Sequence, residues 1–161
     1  MDKSPRHDFH PAGWNFLCLT LRASCYNMGM EKQIERLLKK KIAFVGSESK
    51  GEPYIKAMIV ARREGSNIFY FDSNNGSKRV AQWKKNPNAC IYFNGGPVYR
   101  GVMLSGKMEI INDMEMKKLH WSPMMKMIYK GGVEDPDYCI LRFTANKGRH
   151  YYMYESEDFE I

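Results

Sequence analysis

KAMIVARREGSNIFYFDSNNGSKRVAQWKKNPNACIYF, running from Lys56 to Phe93, decides how the rest of the chain is read. Ile55–Ala61 and Asn67–Phe71 are runs rich in Ile, Val, Phe and Tyr, separated by the charged segment Arg62–Ser66, a pattern that predicts an antiparallel hairpin. Strand side chains alternate between faces, so Lys56 is predicted to share a face with Met58 and Val60. Asp72–Gly76 supplies residues tolerant of left-handed backbone, and Ser77 is placed to N-cap a short helix over Lys78–Lys85. Val80 and Trp83, three residues apart, give that helix one apolar side, and Asn86-Pro87 stops it before a third strand.

The helix start gathers groups suited to an anion: N–H groups without intrahelical partners, the positive end of the macrodipole, and the side chains of Ser77, Lys78 and Arg79. Two charge-assisted bonds of roughly 1.5–3 kcal/mol each would give a phosphate about two to four decades of affinity. The same residues equally describe the solvated face of a surface helix. Cations at a helix N-terminus are locally unfavourable, and a bound anion would offset that.

With 161 residues and no linker, repeat or low-complexity segment, the chain is long enough for one domain with a real core. Residues 1–27 read as an N-terminal extension or a mis-called start, with the folded domain over 28–161. The apolar run Trp14–Leu21 is interrupted by Asn15 and Thr20 and is too short to span a bilayer. Met28 and Met30 immediately precede an amphipathic helix over Glu31–Lys41, with Ile34, Leu37 and Leu38 on one face. A formal charge of +7 favours anionic partners without choosing among nucleotides, nucleic acid and acidic surfaces. Cys18, Cys25, Cys90 and Cys139 show no CxxC spacing, and Cys90 and Cys139 read as reduced core residues of a cytoplasmic protein.

Ile42–Gly46 is predicted as a strand and Glu48–Pro53 as a hairpin loop. Beyond Phe93, Tyr99–Ile111 reads as a long strand that Gly101 and Gly106 can bend. Asn112–Glu115 has the form of a capping box opening a helix towards Trp121. Pro123 interrupts that helix, and the Met-rich turn Met124–Tyr129 suits either core packing or a substrate or partner surface. Tyr138–Thr144 and Arg149–Tyr154 are predicted as a final hairpin around Ala145–Gly148. The predicted class is mainly β, a six- to seven-stranded antiparallel barrel with peripheral helices. No nucleophile–base pair, metal-ligand spacing or paired carboxylates stands out, so no catalytic residue is assigned and no metal is expected.

These features resemble the flavin-binding split β-barrels related to pyridoxamine 5′-phosphate oxidase, and among them the compact branch that includes bacterial general stress proteins. The resemblance spans about Lys32–Glu155 and rests on IKAMIVA…NIFYFDS, on Ser77-Lys78-Arg79 ahead of Asn86-Pro87, and on YRGVMLSGKMEII. It implies that Lys56 reaches the phosphate of flavin mononucleotide (FMN) and that the backbone of Ala57, Met58 and Ile59 borders the isoalloxazine. It implies further that Phe71 and Asp72 line the cofactor, and that Ser77, Lys78 and Arg79 stand for a Ser-Arg-Lys phosphate motif with its cations exchanged. Arg100 is retained near the ring, while the glutamine that follows it in the family is replaced by Gly101. Ala61 stands where the oxidase has a substrate-holding lysine, and the carboxy-terminal Arg-x-His motif is missing, Arg149 and His150 being adjacent.

The resemblance therefore implies an FMN-binding oxidoreductase of unassigned substrate, and not a true pyridoxamine phosphate oxidase. It implies a symmetric homodimer with the cofactor in a cleft between subunits, for which Tyr151–Tyr154 supply candidate interface aromatics. Three other readings stay open. The same barrel could hold a deazaflavin or a haem, with His120 or His150 as axial ligand. It could bind flavin without catalysis. A nucleic-acid-binding barrel would instead spread cations and aromatics across an open sheet face. Neither nucleic acid nor membrane is the expected partner.

Overall fold

The computed structural model describes residues 29–96 and 99–161. The predicted extension 1–27, Cys18, Cys25 and the start at Met28 lie outside the described residues. The chain divides into two compact units, Met1–Gln33 and Ile34–Ile161. Of the first, residues 29–33 are described and are helical; that helix, α1 (residues 29–38), ends in the second unit, where Ile34, Leu37 and Leu38 are buried.

The second unit carries eight strands: β1 (Ile42–Ser49), β2 (Glu52–Ile59), β3 (Arg62–Glu64), β4 (Ile68–Asn74), β5 (Asn88–Asn94), β6 (Arg100–Ile111), β7 (Tyr138–Tyr152) and β8 (Glu155–Glu160). Two helices, α2 (Lys78–Lys85) and α3 (Met114–His120), interrupt them. All pairings are antiparallel, in the order β2-β1-β5-β6-β7-β4-β3, with β8 added to β7. Two consecutive amides close this sheet. Val60 N donates to Lys41 O at 2.8 Å on the β1 side, and Ala61 N donates to Tyr70 O at 2.8 Å on the β4 side. A single strand path, β2 followed by β3, thus passes from one neighbour to the other and turns the sheet into a split barrel.

Apolar alternation fills the interior. Val45, Phe69, Phe71, Ile91, Phe93, Val102, Leu104 and Phe143 are almost wholly buried, and the rings of Phe69 and Phe93 lie 5.3 Å apart. Helix α2 packs against β1 and β6 with Val80 and Trp83 buried, as their spacing predicts. A second cluster lies on the other face of β4 and β7, where Tyr70, Tyr129, Tyr138 and Ile140 are joined by Ile111, Met116, Trp121 and Met125. Part of the Met-rich segment is therefore core packing, although Met124 and Met127 remain exposed.

Several predicted elements change. The hairpin partner of β4 is Arg62–Glu64, not Ile55–Ala61, which pairs with β1 up to Ile59; the turn shrinks to residues 65–67. The loop over Glu48–Pro53 shrinks to Lys50 and Gly51, both with positive φ, the conformation a two-residue hairpin demands. The cap of α3 is Asp113, whose carboxylate accepts from Met116 N, so Glu115 forms no capping box. Ala145–Gly148 is no turn. It is a bulge inside the continuous strand β7, where Gly106 faces Ala145 and Ser105 faces Lys147, leaving Asn146 as the extra residue. The final hairpin joins β7 to β8, whose acidic residues lie opposite Lys147 and Arg149; Arg149 makes a two-point pair with Asp158.

The bulge depends on Gly106, where a Cβ would overlap the Thr144 carbonyl oxygen. Gly106→Ala is expected to cost about 1–3 kcal/mol, read as a lower urea midpoint with an unchanged m-value.

Candidate functional site

Below the strand switch at Val60–Ala61 the two edges diverge. Tyr70 and the two residues before it pair with β3 as well as β7, but from Phe71 to Asn74 strand β4 pairs with β7 alone. The far edge of β2 has no strand partner among the described residues. Residue burial records the same splaying: from Glu52 to Ile59 only Met58 is buried. The chain leaves β4 at Asn74 and enters α2 after three residues, so the N-terminus of α2 follows the end of β4 that pairs with β7 alone.

Lys56–Ile59 lie on β2 and Phe71–Asp72 on β4, on the two sides of this split, and Ser77–Arg79 follow β4 at the cap and first turn of α2. Their side chains divide. Lys56 lies on the same face as buried Met58, whereas Ala57 and Ile59 lie on the outer face, opposite Phe44 and Ile42. Phe71 is wholly buried, and the Asp72 carboxylate accepts a 3.0 Å bond from the Tyr138 hydroxyl in the second cluster. Both can therefore offer only backbone to the split. Burial raises the Asp72 pKa against the lowering effect of that bond. It also drives Tyr129 up to about 12 and Tyr138 higher still, so both hydroxyls stay protonated donors.

Ser77 caps α2, its hydroxyl accepting from Val80 N at 3.4 Å. The first turn holds no acidic residue. Lys78 is exposed, while Arg79 is half-buried with its Nε enclosed and without a hydrogen-bond partner. Desolvation lowers the Arg79 pKa, and no described carboxylate forms an ion pair with it. An unpaired, partly desolvated guanidinium at a helix N-terminus fits an anionic group.

Arg100 is not brought there. It begins β6 opposite Tyr152, whose ring it covers at 5.0 Å. Tyr152 lies eight residues past Thr144, the last β7 residue paired with β4, or roughly 25 Å along the strand. Gly101 is buried beneath the Tyr92 ring, which a Cβ at this position would overlap. A glutamine is sterically excluded there unless Tyr92 moves.

A profile of the family described as pyridoxamine 5′-phosphate oxidase like matches residues 29–158. The chain belongs to this pyridoxamine 5′-phosphate oxidase-like family. Among solved members of similar structure is a protein from Clostridium acetobutylicum related to general stress protein 26 of Bacillus subtilis, in the pyridoxinephosphate oxidase family. It is 33% identical, with 85% of this chain and 95% of that one covered and a TM-score of 0.70. General stress protein 26 from Bacillus anthracis shares the fold at 16% identity, covering 83% of this chain and 100% of that one, with a TM-score of 0.68. A haem-binding protein from Mycobacterium smegmatis shares it at 12% identity, covering 80% and 57%, with a TM-score of 0.60. Comparison with curated proteins yields no match.

The sequence places Asn74 and Asn75 in a turn and Asp137 at the end of a loop, Gly131–Asp137, that could flank a ligand, but it does not reveal the bonds that join them. Asp137 accepts from Asn74 Nδ2 and from Gly76 N, each at 2.8 Å. Partners more than sixty positions apart leave no local signal.

His120 and His150 are half-buried and buried, each with an enclosed, unpartnered Nε2. Burial is the main cause holding both below the ordinary histidine value. Arg62 adds to it at His120 and Arg100 at His150, against Glu64 and Glu157 respectively. A depressed folded pKa gives stability that is present above the unfolded pKa of about 6.5 and lost as pH falls through the folded value. The urea midpoint is therefore expected to drop between pH 7.5 and 5, and to drop less in His120→Gln/His150→Gln.

Proposed function

We propose that this chain is an FMN-binding flavoprotein acting as an oxidoreductase. The observation that carries the reading is Arg79, a half-buried guanidinium with an unsatisfied Nε at the N-terminus of α2. Burying a cation without a counter-charge costs several kcal/mol, and a phosphate supplies that charge with matched geometry. Membership of the pyridoxamine 5′-phosphate oxidase-like family supports the same assignment.

In this reading Ser77, Lys78 and Arg79 hold the phosphate, Lys56 approaches it from β2, and the backbones of Ala57–Ile59 and Phe71–Asp72 border the ring. When bound, FMN supplies the hydride or electron transfer. The chain's residues bind it, orient it and limit water. Arg100, at the far end of β6, joins such a site only from a second protomer. The outer sheet face supports a homodimer: Ile42, Phe44, Ile55 and Ile59 are 54%, 36%, 71% and 70% exposed and adjoin one another across β1 and β2. Ala61 and Gly101 support a substrate other than the pyridoxamine phosphate of the true oxidase. Free Cys90 and Cys139 fit the cytoplasm, and no helix among the described residues is long and apolar enough to cross a membrane.

The haem reading is weaker here. His150 is 4% exposed in the barrel wall, and His120 stacks on Tyr70 at 4.8 Å, so ligation would require displacing packed groups. The nucleic-acid reading finds no platform on β1 and β2, whose exposed face is apolar.

The purified protein, mixed with FMN and freed of excess, is expected to retain a flavin absorption band. A colourless protein would remove the reading. Lys78→Ala/Arg79→Ala is expected to weaken FMN binding by about two to four decades while changing riboflavin affinity little. Equal losses for both ligands would displace the cradle from α2.

A further inference from the structure

We infer that Asp137 is a positioning residue for the anion cradle at the start of α2, an inference that rests on the phosphate-binding reading above. Asp137 precedes β7, yet most of its polar atoms are spent on the segment joining β4 to α2. Its carboxylate accepts from Gly76 N and from Asn74 Nδ2, each at 2.8 Å, and its carbonyl accepts from Asn75 N at 2.7 Å. The neighbouring Pro136 carbonyl accepts from Asn75 Nδ2 at 2.9 Å. Three consecutive residues are thus pinned from one point. Ser77 follows them directly, its own N–H returning to Asn74 O at 3.0 Å.

The consequence is geometric. A cradle binds tightly only when its donors are held in place before the ligand arrives, because ordering a loop on binding subtracts from affinity. The connection 75–77 is rich in residues with several accessible backbone conformations; beyond Ser77 N to Asn74 O and Asn75 Nδ2 to Asn112 Oδ1, the N–H groups that hold it donate to Pro136 and Asp137. Asp137 supplies that constraint from the residue just before β7, a strand anchored in the barrel. The bonds from Asn74, first, and from Gly76 hold its carboxyl below the usual carboxylate range, so it accepts as an anion at neutral pH.

Two effects of opposite sign act on a bound phosphate. The negative charge of Asp137 repels it, whereas the bonds of Asp137 hold the groups that receive it. Side-chain substitutions separate them. Asp137→Asn removes the charge but keeps the shape. Its amide can accept from Gly76 N and donate to Asn74 after that side chain flips, leaving Asn74 Nδ2 towards the Tyr129 hydroxyl, now 3.3 Å from Asn74 Oδ1. Asp137→Ala removes the charge and both side-chain bonds.

The test is the ratio of FMN to riboflavin affinity, measured by flavin fluorescence titration in the full chain. Loss of general stability lowers both affinities and leaves the ratio where it was; loss of cradle order lowers the ratio. Asp137→Ala is expected to lower the ratio about tenfold, and Asp137→Asn to restore it to the wild-type value or above. If the alanine variant does not fold, Asp137→Ser, which keeps one short acceptor, is read in the same way. An unchanged or raised ratio in the alanine or serine variant, with a wild type that prefers FMN, would overturn the role of Asp137 alone. A wild type with no preference for FMN would overturn the cradle and this role with it.

Discussion

The structure depends on a change of hydrogen-bonding partner between two adjacent residues. Every buried strand must satisfy its backbone groups on both sides, and at Val60–Ala61 successive amides reach opposite neighbours, β1 and β4. That step closes the barrel around its aromatic interior. Among the described residues the same step leaves the far edge of β2 without a strand partner and the last residues of β4 paired only with β7, because one path cannot serve both neighbours along its whole length. Barrel closure and the split between β2 and β4 are consequences of one geometric event.

Strand β7 carries the second constraint. Before the bulge its odd-numbered residues, Cys139, Leu141 and Phe143, face the barrel, and its even-numbered residues, Tyr138 and Ile140, face the outer cluster. The extra residue at Asn146 reverses that parity, so Gly148 and His150 lie opposite Leu104 and Val102 on the interior side. One strand thereby serves two apolar clusters at its start and the barrel alone at its end. The Tyr138–Asp72 and Tyr129–Asn74 bonds fasten the outer cluster to β4, immediately before the segment that leads into α2.

The distribution of charge and apolar surface follows from this frame. Among the described residues the exposed face of β1 and β2 carries apolar Ile42, Phe44, Ile55 and Ile59, while Lys117 is buried over the Tyr138 ring and Lys78 and Arg79 begin α2. The exposed apolar face of β1 and β2 and the cationic start of α2 are separate features of the fold.

Alternation of apolar residues, the Ser77 cap, the Asn86-Pro87 stop and the Val80–Trp83 spacing determined by themselves that β-strands form and that a short helix with one covered side lies between two of them, because each acts through neighbours within one or two turns of chain. The cluster Ser77-Lys78-Arg79 was legible for the same reason. The sequence could not specify that Arg62–Glu64 would be a strand, since three charged residues carry no apolar period and gain strand geometry only by pairing with β4. Nor could it show Ala145–Gly148 as a bulge, because whether Asn-Lys-Gly reverses or merely kinks depends on the room that Gly106 leaves across the sheet. Acidic β8 gains its strand geometry only by pairing with β7, opposite Lys147 and Arg149. Tertiary structure alone decided that Phe71 is buried and Asp72 bonds Tyr138, that Arg100 lies against Tyr152 at the far end of β7, and that Asp137 reaches back to Gly76. These are relations between residues distant in sequence, and only the closed sheet sets them.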